Sequence, residues 1–524
     1  MTAVEKIQTP DLAYTPKGEI KGIVEGLRAT FMTHKTRDVT FRIAQLKLLG
    51  AMITEHEKEW TEAIHHDLGR PASEIYLTEI MHVKNEVATA CKNVKKWAKP
   101  SSVSTTIGWV GVRPKIIHDP LGVILCLSPW NYPLTLSIGP IIGAIAAGNT
   151  AVLKPSEHAM ATAALFTRLF PQYLDQSCYR IINGAVDETT ELLDQKWDHI
   201  FYTGSGMVGR IVATAAAKHL TPCVLELGGK SPVLVFDDAN VKVAATRIIW
   251  SKFVNAGQTC IASDYVLCSE AMLPKLIEAF RASLKVFTKG QDPLLPTTEY
   301  SKIVNERQFG RLTKMLEHTK GNIAIGGRSS AETQKIEVTV LTGVDVARDE
   351  SMASEIFGPL LPVVTFENPA EAIDIINKGD QPLAMYVFGG AANFDMVKSR
   401  TRSGSIVHND TLVQFLVPGL PFNGVGPSGT GAYHGKFSFD CFSHQRSTLS
   451  TPNMFEPIMA LRYPPYSAKK LKWLNIGLGE KPPSASGVRK TGTSSTGIGS
   501  VGPAGQMRSN GNGNGAVNGK GSSY

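Results

Sequence analysis

The stretch HIFYTGSGMVGR, residues 199–210, decides the fold. Five residues of aromatic, apolar or β-branched character end at Thr203, glycines follow at 204, 206 and 209, and the helix-compatible TAAAKHL comes next. A strand that turns on glycines into a helix is how an α/β protein offers backbone N–H groups to a phosphate. Outward from it, short apolar runs recur between helical stretches: GVILCLS (122–128), TAVLKP (150–155), YRIING (179–184), CVLELG (223–228) and SPVLVF (231–236). Strands alternating with helices and bounded by Gly and Pro predict a parallel α/β sheet, whose ligands sit at the carboxyl ends of the strands. Before that region the chain reads as helical, with apolar residues at three- and four-residue intervals from IVEGLRATF to TEAIHHDLG.

A chain of 524 residues exceeds what one hydrophobic core serves, so two or more domains are expected. The seven cysteines are scattered and never spaced as C-x-x-C, and the N-terminus lacks a basic segment followed by an apolar run. A reducing, cytoplasmic setting follows, without a disulfide framework or a metal site. The longest apolar stretch, LSIGPIIGAIAAG (136–148), is too short and too broken to span a bilayer, so no transmembrane helix is predicted. Net charge is +8, but from Pro464 onward there are eight Lys/Arg and one acid, which assigns seven of those charges to the end of the chain. The remainder is nearly neutral, which argues against nucleic acid as a partner.

Composition changes near 480, where Gly, Ser and Asn replace large apolar residues, and 480–524 reads as a disordered tail. Just before it, YPPYSAKKLKWLNIGL carries three lysines, Trp473 and several aliphatics. It reads either as a docked terminus or as a surface helix touching lipid headgroups.

The residues after the strands hold the chemistry. LSPWNYP (127–133) places Asn131 at a strand end, either as a turn former or as an amide donor to an oxyanion. AGNTAVLKPSE (147–157) offers Lys154 and Glu157, a solvated pair or a cation and an acceptor for a ribose. Glu226 lies 22 residues after Gly204, close to the spacing of the acid that binds ribose in a dinucleotide site. It also opens LELGGKSP, where Gly228 and Gly229 allow another backbone or a substrate to come close. Finally NAGQTCIASDYV (255–266) presents Cys260, which is either a small core residue or a thiol held near a carboxylate for attack on a carbonyl.

Taken together and in order, LSPWNYP, AGNTAVLKPSE, FYTGSGMVG, LELGGKSP, NAGQTC, EIFGPLLPV (355–363) and LPFNGVGPSGTGAYHGKFSF (420–439) resemble the aldehyde dehydrogenase superfamily over about residues 20 to 463. The resemblance implies that Cys260 is the nucleophile, Glu226 the general base, and Asn131 an oxyanion donor with the Cys260 N–H. It implies that Lys154 and Glu157 hold the adenosine ribose, that Gly204, Ser205 and Gly209 receive the pyrophosphate, that Glu355 holds the nicotinamide ribose and that Phe357 packs on the nicotinamide. NAD is the implied cofactor, preferred over NADP. The CIASDY continuation and the ending AYHGKFSFDCFSHQRS resemble the fatty-aldehyde branch, whose fungal members include dehydrogenases of long apocarotenoid aldehydes such as β-apo-4'-carotenal. That implies a hydrophobic long-chain aldehyde as substrate.

The expected architecture is a Rossmann-like NAD domain (1–103 and 119–227), an α/β catalytic domain (228–415), a small β bridging element (104–118 and 416–463) that extends a partner's sheet in a homodimer, and a basic tail (464–524). Contact of that tail with anionic membranes or lipid bodies would make the protein peripheral to them. Asn423 and Ser263 depart from the family's PFGG and CIAPDY, and both are expected to reshape the substrate side. Two rival readings keep the same fold: a CoA-acylating enzyme, and a non-catalytic aldehyde- or retinoid-binding protein.

Overall fold

The computed structural model describes residues 12–106, 109 and 112–484. The expected disordered tail lies almost wholly outside them. Long helices fill the N-terminal part, at Lys17–Met32, Val39–Glu55, Glu57–Leu68 and Met81–Trp97, as the apolar spacing requires. The chain then forms two large sheets. The first has six strands in the order 429–430, 223–226, 199–203, 123–127, 150–154, 179–181, and every neighbouring pair is parallel except the antiparallel pair formed by Gly429–Thr430. The second has seven, in the order 322–325, 339–342, 360–366, 265–269, 232–235, 384–388, 405–408, with one antiparallel edge pair.

Why the strands read as unbroken apolar runs is visible in their packing. Along Val123–Leu127 every residue is buried: Ile124 and Cys126 join one apolar cluster, while Val123, Leu125 and Leu127 join another on the opposite face. A parallel sheet covered on both faces favours apolar residues along its strands and leaves polar ones mainly at the strand ends, as at Thr150, Lys154, His199, Thr203 and Glu226.

A small antiparallel sheet pairs Lys115–Pro120 with Ser443–Thr448 in register from Lys115↔Thr448 to Pro120↔Ser443, and Ser101–Ser102 adds a short third strand. The strand expected over 104–118 thus begins at Lys115; residues 107, 108, 110 and 111 lie outside the described residues. Gly429–Thr430, expected in the bridging element, pair instead with Leu225 and Glu226 in the first sheet. A two-residue extended segment has no periodicity for a sequence reading to use.

By contact density the chain forms two units, one of residues 1–104 and 112–451 and one of 105–111 and 452–524. The second unit contains a helix at Ala468–Leu478, whose first turn is capped by Ser467. None of its residues is buried, and Trp473 is 54% exposed. Among the described residues no helix is long and apolar enough to cross a membrane.

Candidate active site

Strand ends bring the site together. Thr203 and Glu226 are register partners at the carboxyl ends of adjacent parallel strands, and the Gly204 N–H donates to the Glu226 carbonyl at 3.0 Å. The glycine-rich turn therefore lies beside the glutamate. Beyond it, Ser205 caps the helix Gly206–Ala217, its Oγ accepting from the Val208 N–H. A cavity of about 330 Å³ opens over these ends and is lined by Asn131, Gly204, Ser205, Glu226, Cys260, Glu355 and Phe357 among others.

The loop carrying Cys260 is bent by three consecutive left-handed residues, Asn255 (φ 49°), Ala256 (φ 51°) and Gly257 (φ 70°). At Gly257 a Cβ would lie 2.4 Å from the Gly358 carbonyl oxygen, so only glycine fits. Gln258, fully buried, ties the bend down: its amide donates to the carbonyls of Asn255 and Lys302 at 2.9 and 3.0 Å and accepts from the Val304 N–H at 3.0 Å. Asn131 reaches the same loop, its Nδ2 donating to the Gln258 carbonyl at 3.1 Å. Among the described residues, one of its two amide protons has no protein acceptor. The opposite wall is the turn 355–358. Phe357 is strained at φ 50° and packs edge-on to Trp130, with ring centres 5.3 Å apart. That strain is held by Ile356, whose N–H donates to Asp264 and whose carbonyl accepts from Arg311, and by Lys252, which donates to the Gly358 carbonyl.

Burial dominates the electrostatics. Among the described residues, neither buried carboxylate oxygen of Glu226 has a partner, and desolvation holds its pKa well above the ordinary range. Glu355 is pushed up to about 8 by burial first and by Asp264 second, and its Oε1 also has no partner. Cys260, half-buried, has its thiol raised by burial and then by Glu355 and Glu226. The Gly228 backbone packs under Glu355, where a Cβ would lie 2.1 Å from Oε2. Unpartnered acceptors beside a capped helix start suit a ligand with hydroxyls and a pyrophosphate, which is the chemistry of a dinucleotide.

Three expected cofactor residues lie off this cavity. Lys154 ends its strand as the register partner of Leu127, and its Nζ meets Glu157 at 2.6 Å. Burial raises the Glu157 carboxyl, but the charge and hydrogen bond of Lys154 outweigh it and the net shift is downward. Gly209 faces inward in its helix, where a Cβ would sit 2.8 Å from Leu227. Conversely, Gln308, Arg311 and Ser354 line the cavity and carry no sequence signal except that Ser354 precedes the EIFGP motif. Ser263 does not line it. Its N–H and hydroxyl both bond the Ser251 hydroxyl, so this departure rewires the core, and Asn423 likewise lines neither this cavity nor the apolar pocket.

That second pocket lies on the other side of Cys260. It is lined by Tyr132, Trp250, Val254, Ile261, Leu412, Phe415 and Leu416, with Thr78 and Thr259 at its polar points. Cys260 and Leu136 are the residues common to both. Among the described residues no group of three or more His, Cys, Asp or Glu is placed to hold a metal ion.

Two mostly parallel sheets thus bring a thiol, buried carboxylates and a capped helix start to one cavity, the frame of an α/β enzyme. The profile of the aldehyde dehydrogenase family matches residues 8–448, and the chain belongs to that family. It is 47% identical over 461 residues to an aldehyde dehydrogenase of Craterostigma plantagineum, covering 87% of this chain and 95% of the relative. It is 44% identical over 457 residues to aldehyde dehydrogenase family 3 member A2 of Pongo abelii, covering 86% and 92%. Among solved structures, the substrate-bound AldH of Staphylococcus aureus aligns with a TM-score of 0.84 at 39% identity, over 87% of this chain and 99% of that one.

Proposed function

We propose that this aldehyde dehydrogenase oxidises hydrophobic long-chain aldehydes, fatty or apocarotenoid, to carboxylic acids with NAD, by way of a thioester on Cys260. The observation that carries the reading is the position of Cys260 between the two pockets, one with unpartnered carboxylates and a helix start, the other almost wholly apolar. The apolar pocket, about 50 Å³ in volume, would take the first carbons of an alkyl or polyene tail and leave the carbonyl carbon against the sulfur.

In this reading the Cys260 thiol gives its proton to solvent, the thiolate adds to the carbonyl, and the new oxyanion is held by the free amide proton of Asn131 and by the Cys260 N–H. Donors placed for the oxyanion stabilise the transition state more than the substrate. Ser205 and the helix start behind it would hold the cofactor's pyrophosphate, Glu355 its ribose and Phe357 its ring, while Lys154 and Glu157 would hold the adenosine ribose. Gly209 keeps the helix close to its sheet. The bound cofactor supplies a hydride acceptor. Glu226 then takes a proton from water as it attacks the thioester, and the acid leaves with the thiol restored.

Glu157 favours NAD, because its carboxylate would oppose a 2'-phosphate. Apart from Gly429–Thr430, which pair in the first sheet, the domain boundaries at 103/104, 118/119, 227/228, 415/416 and 463/464 belong to the same proposal. So does a homodimer: Ser443–Thr448 is an edge strand with most of its residues exposed, free to extend a partner's sheet. A peripheral membrane contact is supported by Leu471, Trp473 and Ile476, exposed on a helix that also carries Lys469, Lys470 and Lys472. The deciding experiment supplies NAD and aldehydes from hexanal through hexadecanal to apocarotenals. A kcat/KM that rises with apolar length supports the reading, and a preference for short polar aldehydes overturns it.

A further inference from the structure

Arg70 lines neither pocket and belongs to no motif singled out in the sequence, yet it is fully buried. Three of its nitrogens go to three different acceptors. Nε donates to Glu74 Oε1 at 2.9 Å, Nη1 to Glu79 Oε1 at 2.5 Å, and Nη2 to the Thr78 hydroxyl. Its guanidinium carbon lies 4.5 Å from the centre of the Tyr132 ring.

Each of those partners reaches onward to the site. Glu74 Oε1 accepts the N–H of Asn255, the first left-handed residue of the Cys260 loop, at 2.9 Å. Glu79 Oε2 accepts the N–H groups of Leu134 and Thr135 at 2.9 and 2.8 Å, directly after the segment that carries Asn131. The Tyr132 hydroxyl meets the Thr259 hydroxyl at 2.8 Å, and Asn255 Nδ2 donates to the Asn131 carbonyl at 2.9 Å. One guanidinium therefore sets two segments that are remote in sequence, 131–135 and 255–259. These are the segments that bear the oxyanion donor and the nucleophile.

We propose that Arg70 is a positioning residue for the oxyanion site: through Glu74, Glu79 and Tyr132 it fixes the separation of the Asn131 amide from Cys260. The proposal rests on the thioester chemistry above. The function is specific to the fork of arginine, because lysine presents one nitrogen on a flexible stem and has no planar face to lay on Tyr132. A donor displaced by a fraction of an ångström loses its effect on the transition state while ground-state binding persists.

The test is a transient-kinetic double-mutant cycle in the full chain, with Arg70→Lys, Asn131→Ala and the double variant. The NADH burst amplitude counts competent sites, and the burst rate constant reports acylation within them. Arg70→Lys is expected to keep the amplitude and the cofactor affinity, measured by fluorescence quenching, while the rate constant falls on the order of 10- to 100-fold. With Asn131 already alanine, the same change is expected to cost less than about 3-fold, since the group being positioned is gone. A reduced amplitude with an unchanged rate constant would mean that Arg70 only supports the fold, and losses that multiply would mean that it acts independently of Asn131; either overturns the proposal. Should Arg70→Lys not fold, Glu74→Gln keeps the acceptor for Asn255 and weakens the ionic hold, and the same non-additivity with Asn131→Ala is expected of it. A wild-type burst rate constant in the positioning variants overturns the clamp alone, whereas an unmodified enzyme that forms no NADH overturns the thioester chemistry with it.

Discussion

Replacing Glu226 with glutamine separates the two roles its position allows. The side chain keeps its length and volume, and because neither carboxylate oxygen has a protein partner, no hydrogen bond of the fold is lost. What disappears is a proton acceptor. General-base catalysis contributes about 10² to 10⁴ in rate. On a typical turnover of about 10 per second, hydrolysis would slow to between about 0.1 and 0.001 per second. Acylation does not need the base in that form, so rapid mixing of Glu226→Gln with aldehyde and saturating NAD is expected to give about one NADH per site in a burst and then stall. Intact mass should show an acyl adduct on Cys260. In the unmodified enzyme the base must be ionised, and burial holds its pKa well above the ordinary range, so the hydrolytic rate should climb with pH through that raised value. The linkage has the opposite sign for stability. Between the unfolded pKa, about 4.3, and the raised native one, the folded state keeps a proton that the unfolded state has released, so this group's contribution is present at low pH and lost as pH rises. The glutamine variant should therefore gain in melting temperature relative to wild type as pH increases. A near-normal steady rate with no adduct, and a KM for NAD that alone increases, would refute the base and restore Glu226 as a ribose ligand.

Three further outcomes are expected. Glu157→Gln should narrow the NAD over NADP ratio of kcat/KM, since it removes the carboxylate that opposes a 2'-phosphate; an unchanged ratio would displace Glu157 from the adenosine ribose. Phe415→Ala enlarges the apolar pocket, and with about 1.5 to 3 kcal/mol for burying such a side chain, kcat/KM for hexadecanal should fall at least about 10-fold while hexanal is spared; equal losses would place the tail elsewhere. Truncation after Tyr463 should reduce sedimentation with anionic liposomes at low salt and leave turnover of a soluble short aldehyde intact, and full-length protein that fails to sediment would leave the basic helix without a lipid role.

Much of the architecture was legible because most strands of the first sheet's parallel part, such as Val123–Leu127, Thr150–Lys154 and His199–Thr203, are short apolar runs bounded by glycine, proline or a polar residue, so strand ends and ligand-bearing turns could be placed without long-range information. Gly429–Thr430 escaped because two residues carry no period. The region around Cys260 was legible as a motif but not as a shape. Asn255 and Ala256 are left-handed although neither is glycine, and the cause lies in Glu74, Asn131 and Gln258, which meet the loop only in the folded chain. Gln308 and Arg311 were silent for a related reason: a helix such as Glu306–His318 shows the same polar residues whether they face water or a cavity.

The spacing between Gly204 and Glu226 shows how far a local rule reaches. It matches the acid of a dinucleotide site, and the topology does too, since Glu226 ends the parallel strand next to the one that feeds the glycine turn. What distinguishes the two roles is the neighbour supplied by the second sheet. Cys260 arrives between the helix Val241–Phe253 and the strand Tyr265–Ser269, and it shares with Glu226 a cavity in which the carboxylate helps to raise the pKa of the thiol. A ribose acid is useful as a fixed anion with hydroxyls to bind. An unpartnered oxygen and a raised pKa suit a carboxylate to exchanging a proton with water, and Glu355 shares both features with Glu226, so the kinetics of Glu226→Gln rather than the electrostatics assign the role. In the proposed reading, burial and both carboxylates disfavour a thiolate at Cys260, and a cationic ring beside Phe357 would favour it.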